Sequence, residues 1–325
     1  MIDRRRALIF AACVGILAPL AAAAQRTGKT SRIGITVGGF APNAYVEALR
    51  RSLAELGWVE GKNILIEVRY AEGRGDRWHE IMAELIGLKV DVIVAGGGAG
   101  PTRAAQQLTN TIPIVMPATY DPVAEGLVSS LARPGGNVTG QAQLDAETTV
   151  KRMEFLKTLM PKAKRLAVLR SAALAQTHMD AMEAAARSLD LQLQMLTAGR
   201  AEELDAAFGA FKDARAEGLI VLASAVFTAH RKRVVDLAAQ HRLVAVYEHG
   251  DFVDAGGLMS YGPNFEALWR GAATYVDRIL KGAKPSDLPI EQPKMFELAI
   301  NRRTARALQL TIPQSLLVRA DRIVE

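Results

Sequence analysis

The chain has 325 residues, half of them hydrophobic and 23% charged, with a formal net charge of +6. That length holds about two domains, and the composition is globular; it excludes a disordered, collagenous or disulfide-stapled chain. It also excludes a nucleic-acid surface: in the richest basic stretch Lys151, Arg152, Lys157, Lys162, Lys164 and Arg165 spread around a predicted helix and read as a solvated face.

The first residues obey a different pattern. Arg4, Arg5 and Arg6 precede the apolar run ALIFAACVGILAPLAAAA, and Ala22 to Ala24 then meet Gln25. A charged segment, an apolar core and a small-residue cleavage site predict a signal peptide over residues 1–24 and a periplasmic mature chain. The run is short, rich in alanine and broken by Pro19, which argues against a membrane span. The paired arginines also fit a twin-arginine export signal loosely. Lipid attachment at Cys13 is the lesser alternative. Losing three arginines and Asp3 would take the net charge from +6 to +4, and the one cysteine, Cys13, would leave with them, so the exported chain could cross an oxidising compartment without forming disulfides.

From Arg32 strands and helices alternate. RIGITVG predicts a strand, and NAYVEALRRSLAELG a helix with Tyr45, Leu49, Leu53 and Leu56 at helical spacing and Gly57 as its stop. NILIEVRYA is the next strand. GDRWHEIMAELIGLK is the next helix, with Asp76 as N-cap and Trp78, Ile81, Met82 and Leu85 on one face. Val90 to Ala95 forms a third strand, followed by a helix from Pro101; IPIVMPAT is the fourth, followed by a short helix over DPVAEGLVSSLA. Continuous apolar strands in four such units predict a parallel sheet covered on both faces.

ARPGGNVTGQAQ interrupts this rhythm and reads as the passage into a second domain. There the alternation resumes: helix 146–159, strand RLAVLR, helix 178–189, strand LQLQML, helix 202–215, strand GLIVLAS, helix 229–240 and strand LVAVYEH. The glycine-rich EHGDFVDAGGLMSYG, the amphipathic FEALWRGAATYVDRILKG, a proline-bearing link ending in a strand, and the helix RRTARALQL complete the chain. The expected architecture is α/β: two Rossmann-like lobes with parallel sheets joined by a three-crossing hinge. The first lobe is residues 30–142 plus about 250–285, and the second is 143–249 plus about 290–325.

Ligands of open parallel sheets sit outside the carboxyl ends of the strands, which directs attention to the loops there. VDVIVAGGGAGPTRAAQQ, Val90 to Gln107, carries four glycines but no phosphate motif. Gly96 and Gly98 require a glycine where Pro101 stands, Gly98 and Gly100 require one where Arg103 stands, and no P-loop occurs. The loop still admits close backbone approach, and a helix start at Pro101 would offer the N–H groups of Thr102 and Arg103, with the Thr102 hydroxyl, to an anion. A tight turn without a ligand is the alternative.

Catalytic arrangements are scarce. His79, His178, His230, His241 and His249 form no H-E-x-x-H, and no metal is expected. Ser260 misses the nucleophile-elbow spacing by one residue. His249 beside Glu248 and Asp251 is the best acid–base cluster and reads as a solvated hinge loop. Phe40, Tyr120, Tyr247 and Tyr261, near predicted loop tips, are candidate ring walls with hydroxyl handles, core packing being the default for each.

The blocks LAELGWVEGKNILIEVRYAEG, LIGLKVDVIVAGGG, TIPIVMPATYDPVAEGLVSSLARPGGNVTG and the stretch from Gly256 to Glu325, beginning GGLMSYGPNFEALWRG, resemble the ABC transporter substrate-binding protein family that includes tryptophan- and tyrosine-type binding proteins. The resemblance implies a type I periplasmic binding fold. It implies a monomer with no cofactor and no chemical step, closing on a small-molecule ligand and presenting it to an ABC permease and its ATPase. Gly97, Gly98, Pro101 and Thr102 would then line the first-lobe side with Ala118, Thr119, Tyr120 and Asp121, while Ser171, Ser224, Tyr247 and Tyr261 approach from the second lobe or hinge. An amino acid's carboxylate would rest on hydroxyl and backbone donors and its amine on Asp121, Glu248 or Asp251; another aromatic or carboxylate compound is an equal alternative. An exported sensor subunit and a two-domain cleft enzyme are the rival readings.

Overall fold

The computed structural model describes residues 30–143, 145–171 and 176–325. The expected signal peptide and Cys13 lie outside the described residues. Among the described residues no helix is long and apolar enough to cross a membrane.

Five parallel strands form the first sheet in the order β2-β1-β3-β4-β5: β1 Ser31–Val37, β2 Ile64–Tyr70, β3 Val92–Ala95, β4 Ile114–Tyr120 and β5 Val138–Gln143. Ile33 pairs with Ile66 on one side and Val92 on the other, and from Ile33 to Val37 β1 is buried on both faces. One face is covered by α1 (Ala44–Glu55), whose start is capped by Asn43 Oδ1, accepting from the N–H groups of Tyr45 at 3.0 Å and Val46 at 3.3 Å. The other face carries α2 (Trp78–Gly87) and α3 (Ala99–Leu108), with Trp78, Ile81, Met82 and Leu85 buried as their helical spacing predicts.

The second sheet has seven strands, β12-β11-β10-β9-β8-β6-β7: β6 Arg165–Arg170, β7 Gln192–Thr197, β8 Gly218–Val221, β9 Val244–Tyr247, β10 Met259–Pro263, β11 Phe296–Asn301 and β12 Arg322–Val324. All neighbours run parallel except β10 and β11. The helices α4 (Asp145–Leu159) and α5 (Gln176–Ser188) lie on one face; α6 (Leu204–Ala214), α7 (Ala225–Ala229), α8 (Arg231–Gln240) and α9 (Gly250–Asp254) complete the other. The chain ends with α10 (Phe265–Leu280), α11 (Arg302–Ala307) and α12 (Gln314–Leu317) interspersed among the last strands.

Three segments pass between the sheets, after Gln143, after Pro263 and between Glu291 and Phe296. The second passage corrects the expected lobe limits. β10 pairs with β9 and β11, so the stretch from residue 250 stays with the second sheet, and α10 is the element that returns to pack on β4, β5 and α1 of the first. β10 is a short interior strand between β9 and β11, which sequence spacing alone does not define.

Other elements differ from expectation for local reasons. DPVAEGLVSSLA is a series of turns: Asp121 Oδ1 accepts from Ala124 N–H at 3.0 Å, and Gly126 adopts φ 68°, outside the helical region. Asp76 does not cap α2; it lies in a 3₁₀ turn and pairs with Arg74 at 3.1 Å. Leu56 follows the end of α1 and is exposed, and Val46 in the first turn is buried along with Leu49 and Leu53. VTGQAQ, too polar and glycine-bearing to read as a strand, is the fully buried β5, and β12 is likewise absent from the sequence reading.

Candidate functional site

The two lobes face each other across a cleft of about 1460 Å³. Its first-lobe wall begins where β3 ends. The turn Gly96–Gly98 leads directly into α3 at Ala99, two residues before the expected start, with Gly98 at φ 88° and ψ −154°, a conformation open essentially to glycine. The open first-turn donors are therefore on Ala99 and Gly100, because Pro101 has none and the N–H groups of Thr102 and Arg103 are drawn into the helical ladder.

The reason for glycine here is packing as well as backbone shape. A Cβ on Gly96 would stand 2.5 Å from the Trp269 ring; on Gly97 and Gly100 it would stand 2.8 Å and 2.9 Å from the Trp78 ring. Real Cβ atoms do not approach rings so closely, so the glycines let two indoles lie flat against the loop. From Trp269 the aromatic wall continues through Tyr45, stacked at 6.2 Å between ring centres, to Phe265 at 6.0 Å from Tyr45, and on to His249, whose ring stacks on Phe265 at 3.8 Å and 21°. His249 belongs to the second lobe, so the wall crosses the cleft.

Other contacts also span the lobes. The Tyr45 hydroxyl donates to Asp251 Oδ1 at 3.0 Å, and the Tyr120 hydroxyl reaches both carboxylate oxygens of Glu248 at 2.9 Å. At the rim Phe40 meets His230 edge-on at 6.0 Å, and a Cβ on Gly38 would be 2.6 Å from that of Ala225. These are the contacts of a closed cleft.

The electrostatics follow from burial. Glu248 and His249 are 2% and 6% exposed, so the cluster expected to be a solvated loop is buried between the lobes. Burial pushes His249 down to about 4, against the opposing pull of Asp251 and with help from Arg152 and Arg231. His249 is therefore neutral at pH 7, and its Nδ1 has no partner among the described residues. Burial first, and then Asp251, raises the Tyr45 hydroxyl well above its ordinary value. Around the cleft Arg103 pairs with Glu125 at 2.9 Å, Lys232 with Asp236 at 2.6 Å, and Arg322 with Asp254. Among the described residues no group of three His, Cys, Asp or Glu side chains could hold a metal ion.

Of the residues expected at the site, Phe40, Gly97, Gly98, Tyr120, Asp121, Ser171 and Ser224 line the cleft, and the Ser224 hydroxyl accepts from Val226 N–H at 3.2 Å. Five do not line it. Pro101 and Thr102 are buried on the sheet side of α3, and Thr119 faces the opposite side of β4 from Ala118 and Tyr120, as strand alternation requires. Tyr247 stacks on Phe252 at 4.9 Å inside the second lobe, and Tyr261 packs edge-on against Phe155 at 5.1 Å. Tyr45, Trp78, Phe265 and Trp269 are also cleft walls, which their sequence context does not reveal. Tyr45 and Trp78 lie on core-facing helical stripes, where periodicity argues for packing, and only the glycines beside the indoles hinted otherwise.

Two sheets, three passages and an aromatic-walled cleft define a two-lobed solute-binding architecture. The chain belongs to the ABC transporter substrate-binding protein family, whose model matches residues 33–324. It is 27% identical over 262 residues to a tyrosine-binding protein of Clostridioides difficile (strain R20291), a match covering 80% of this chain and 75% of that relative. Among solved structures, a conserved domain protein from Vibrio cholerae O1 biovar El Tor strain N16961 is 26% identical with a TM-score of 0.83, covering 91% of this chain and all of the other. A Streptococcus pneumoniae ABC domain in complex with L-Trp has a TM-score of 0.79 at 23% identity, covering 90% of this chain, and shares the fold.

Proposed function

We propose that this chain is the periplasmic solute-binding subunit of an ABC importer. It works as a monomer, captures a small amino acid or aromatic carboxylate by cleft closure and hands it to the permease, with no chemical step. The observation that carries the reading is the conjunction of a cross-lobe aromatic wall with the open N–H groups of Ala99 and Gly100 on one cleft. A ring would lie against Trp78, Trp269 and Phe265, and a carboxylate would meet the first turn of α3, where the helix dipole adds about 0.3–2 kcal/mol. Micromolar binding corresponds to about 8 kcal/mol in total, within the range of one such anchor and one enclosed ring. The tyrosine-binding relative supports an amino acid as one choice. A catalytic use of Ser260 has no geometric support, since its hydroxyl is buried within β10.

Mass spectrometry of material co-purifying with the protein, followed by a thermal-shift panel of amino acids and aromatic acids, tests this reading. At least one aromatic carboxylate should raise the unfolding midpoint by several degrees; a panel in which only neutral sugars do so would overturn it.

A further inference from the structure

Two side chains in the cleft are nearly fully buried and carry polar atoms with no partner. Among the described residues, Gln143, at the end of β5, is 3% exposed with no partner for its Oε1, and His249, before α9, is 6% exposed with none for its Nδ1. They belong to opposite lobes and line the same cleft. Gln143 sits beside Tyr120 in the β4–β5 register, and the Tyr120 hydroxyl is bonded to Glu248, the neighbour of His249. Buried polar atoms are almost always satisfied, and a pair left open at the hinge end of a ligand cleft marks groups whose partner arrives with the ligand.

The chemistry of that partner can be narrowed. An ammonium only donates, so it could serve the Gln143 amide oxygen but could not accept from a His249 N–H. An anion only accepts, so it has no proton to give the Gln143 amide oxygen. A hydroxyl both donates and accepts, so it can give its proton to the Gln143 amide oxygen and take one from the His249 ring. The stacked Phe265 and His249 rings beside it provide a flat wall for an aromatic carrier of that hydroxyl.

We propose that Gln143 and His249 form a specificity subsite for a ring hydroxyl on the ligand, so that the protein selects phenolic compounds over their unsubstituted analogues. This rests on the reading of the cleft as an aromatic carboxylate site. Its test is calorimetric titration of the purified protein with two matched pairs, tyrosine against phenylalanine and 4-hydroxybenzoate against benzoate. The measurement is repeated on Gln143→Leu and His249→Phe, with Gln143→Met should the leucine variant fail to fold by circular dichroism. Leaving buried groups unpaired is heavily discriminating, so the hydroxylated member of a pair should bind roughly tenfold or more tightly to the wild-type protein. Each variant should bring that ratio close to one. Equal binding of the two members of a pair, or a preference that survives both substitutions, overturns the subsite while leaving the cleft reading intact. Binding of neither pair, with another class of compound binding instead, overturns the cleft reading and the subsite together.

Discussion

His249 shows how much a single side chain's environment departs from its sequence context. Flanked by Glu248 and Gly250 it has the look of a solvated loop residue, yet it is stacked on Phe265 and neutral well below the ordinary histidine range. Its folded value of about 4 lies below the unfolded value of 6.5, so between those pH values the unfolded chain takes up a proton that the folded chain refuses. The stability tied to this group is present above pH 6.5, falls as pH drops through the window and is gone below about 4. Between pH 7 and pH 5 the loss is about 2 kcal/mol. Urea unfolding at these two values should show a drop that His249→Phe largely removes; an equal drop in both proteins would show that His249 is not the group responsible.

At the scale of elements, the turn between β3 and α3 is where sequence motif and structural cause part company. Its glycines match no phosphate fingerprint, and the structure gives them a packing purpose, to admit Trp78 and Trp269 at van der Waals contact. Gly96→Ala should therefore act as an overpacking substitution, with a Cβ forced to within 2.5 Å of the Trp269 ring and 2.6 Å of the Thr36 carbonyl oxygen. A cost of about 1–3 kcal/mol is expected, seen as a lowered thermal midpoint with altered tryptophan emission. Adding Trp269→Phe should recover part of it. Full stability in the single variant would mean that the turn relaxes freely and the indole does not constrain it. The same element scale explains β5 and the turns after Asp121: burial on both faces makes a strand of VTGQAQ, and Gly126 in a left-handed conformation denies a helix to DPVAEGLVSSLA.

For the whole molecule the governing event is the meeting of the lobes. Tyr45 with Asp251, Tyr120 with Glu248 and Phe40 with His230 join them across the cleft, and a ligand favours closure by what it adds to these contacts. Gly38 is the tightest point at the rim, because its missing side chain leaves room for Ala225 of the opposite lobe. Gly38→Val should wedge the cleft open without disturbing either core. Small-angle scattering should report a larger radius of gyration than for the wild-type protein, and ligand affinity should fall by about tenfold as the closed population declines. An unchanged scattering curve would show that closure does not pass through this contact.

The two-lobed α/β plan is legible in the residues alone, because continuous apolar strands alternating with amphipathic helices have few ways to bury their faces. The sequence also carries the family, through long blocks such as DPVAEGLVSSLARPGGNVTG, and it points to seven residues that line the cleft. Packing in three dimensions settles which sheet takes Met259–Pro263, turns Thr102 and Tyr247 inward, and gathers Trp78, Trp269, Tyr45 and Phe265 into the wall. Periodicity records that a side chain is hidden from water but not what hides it. A residue covered by its own lobe and one covered by the facing lobe carry the same pattern, and the difference appears only when the lobes meet.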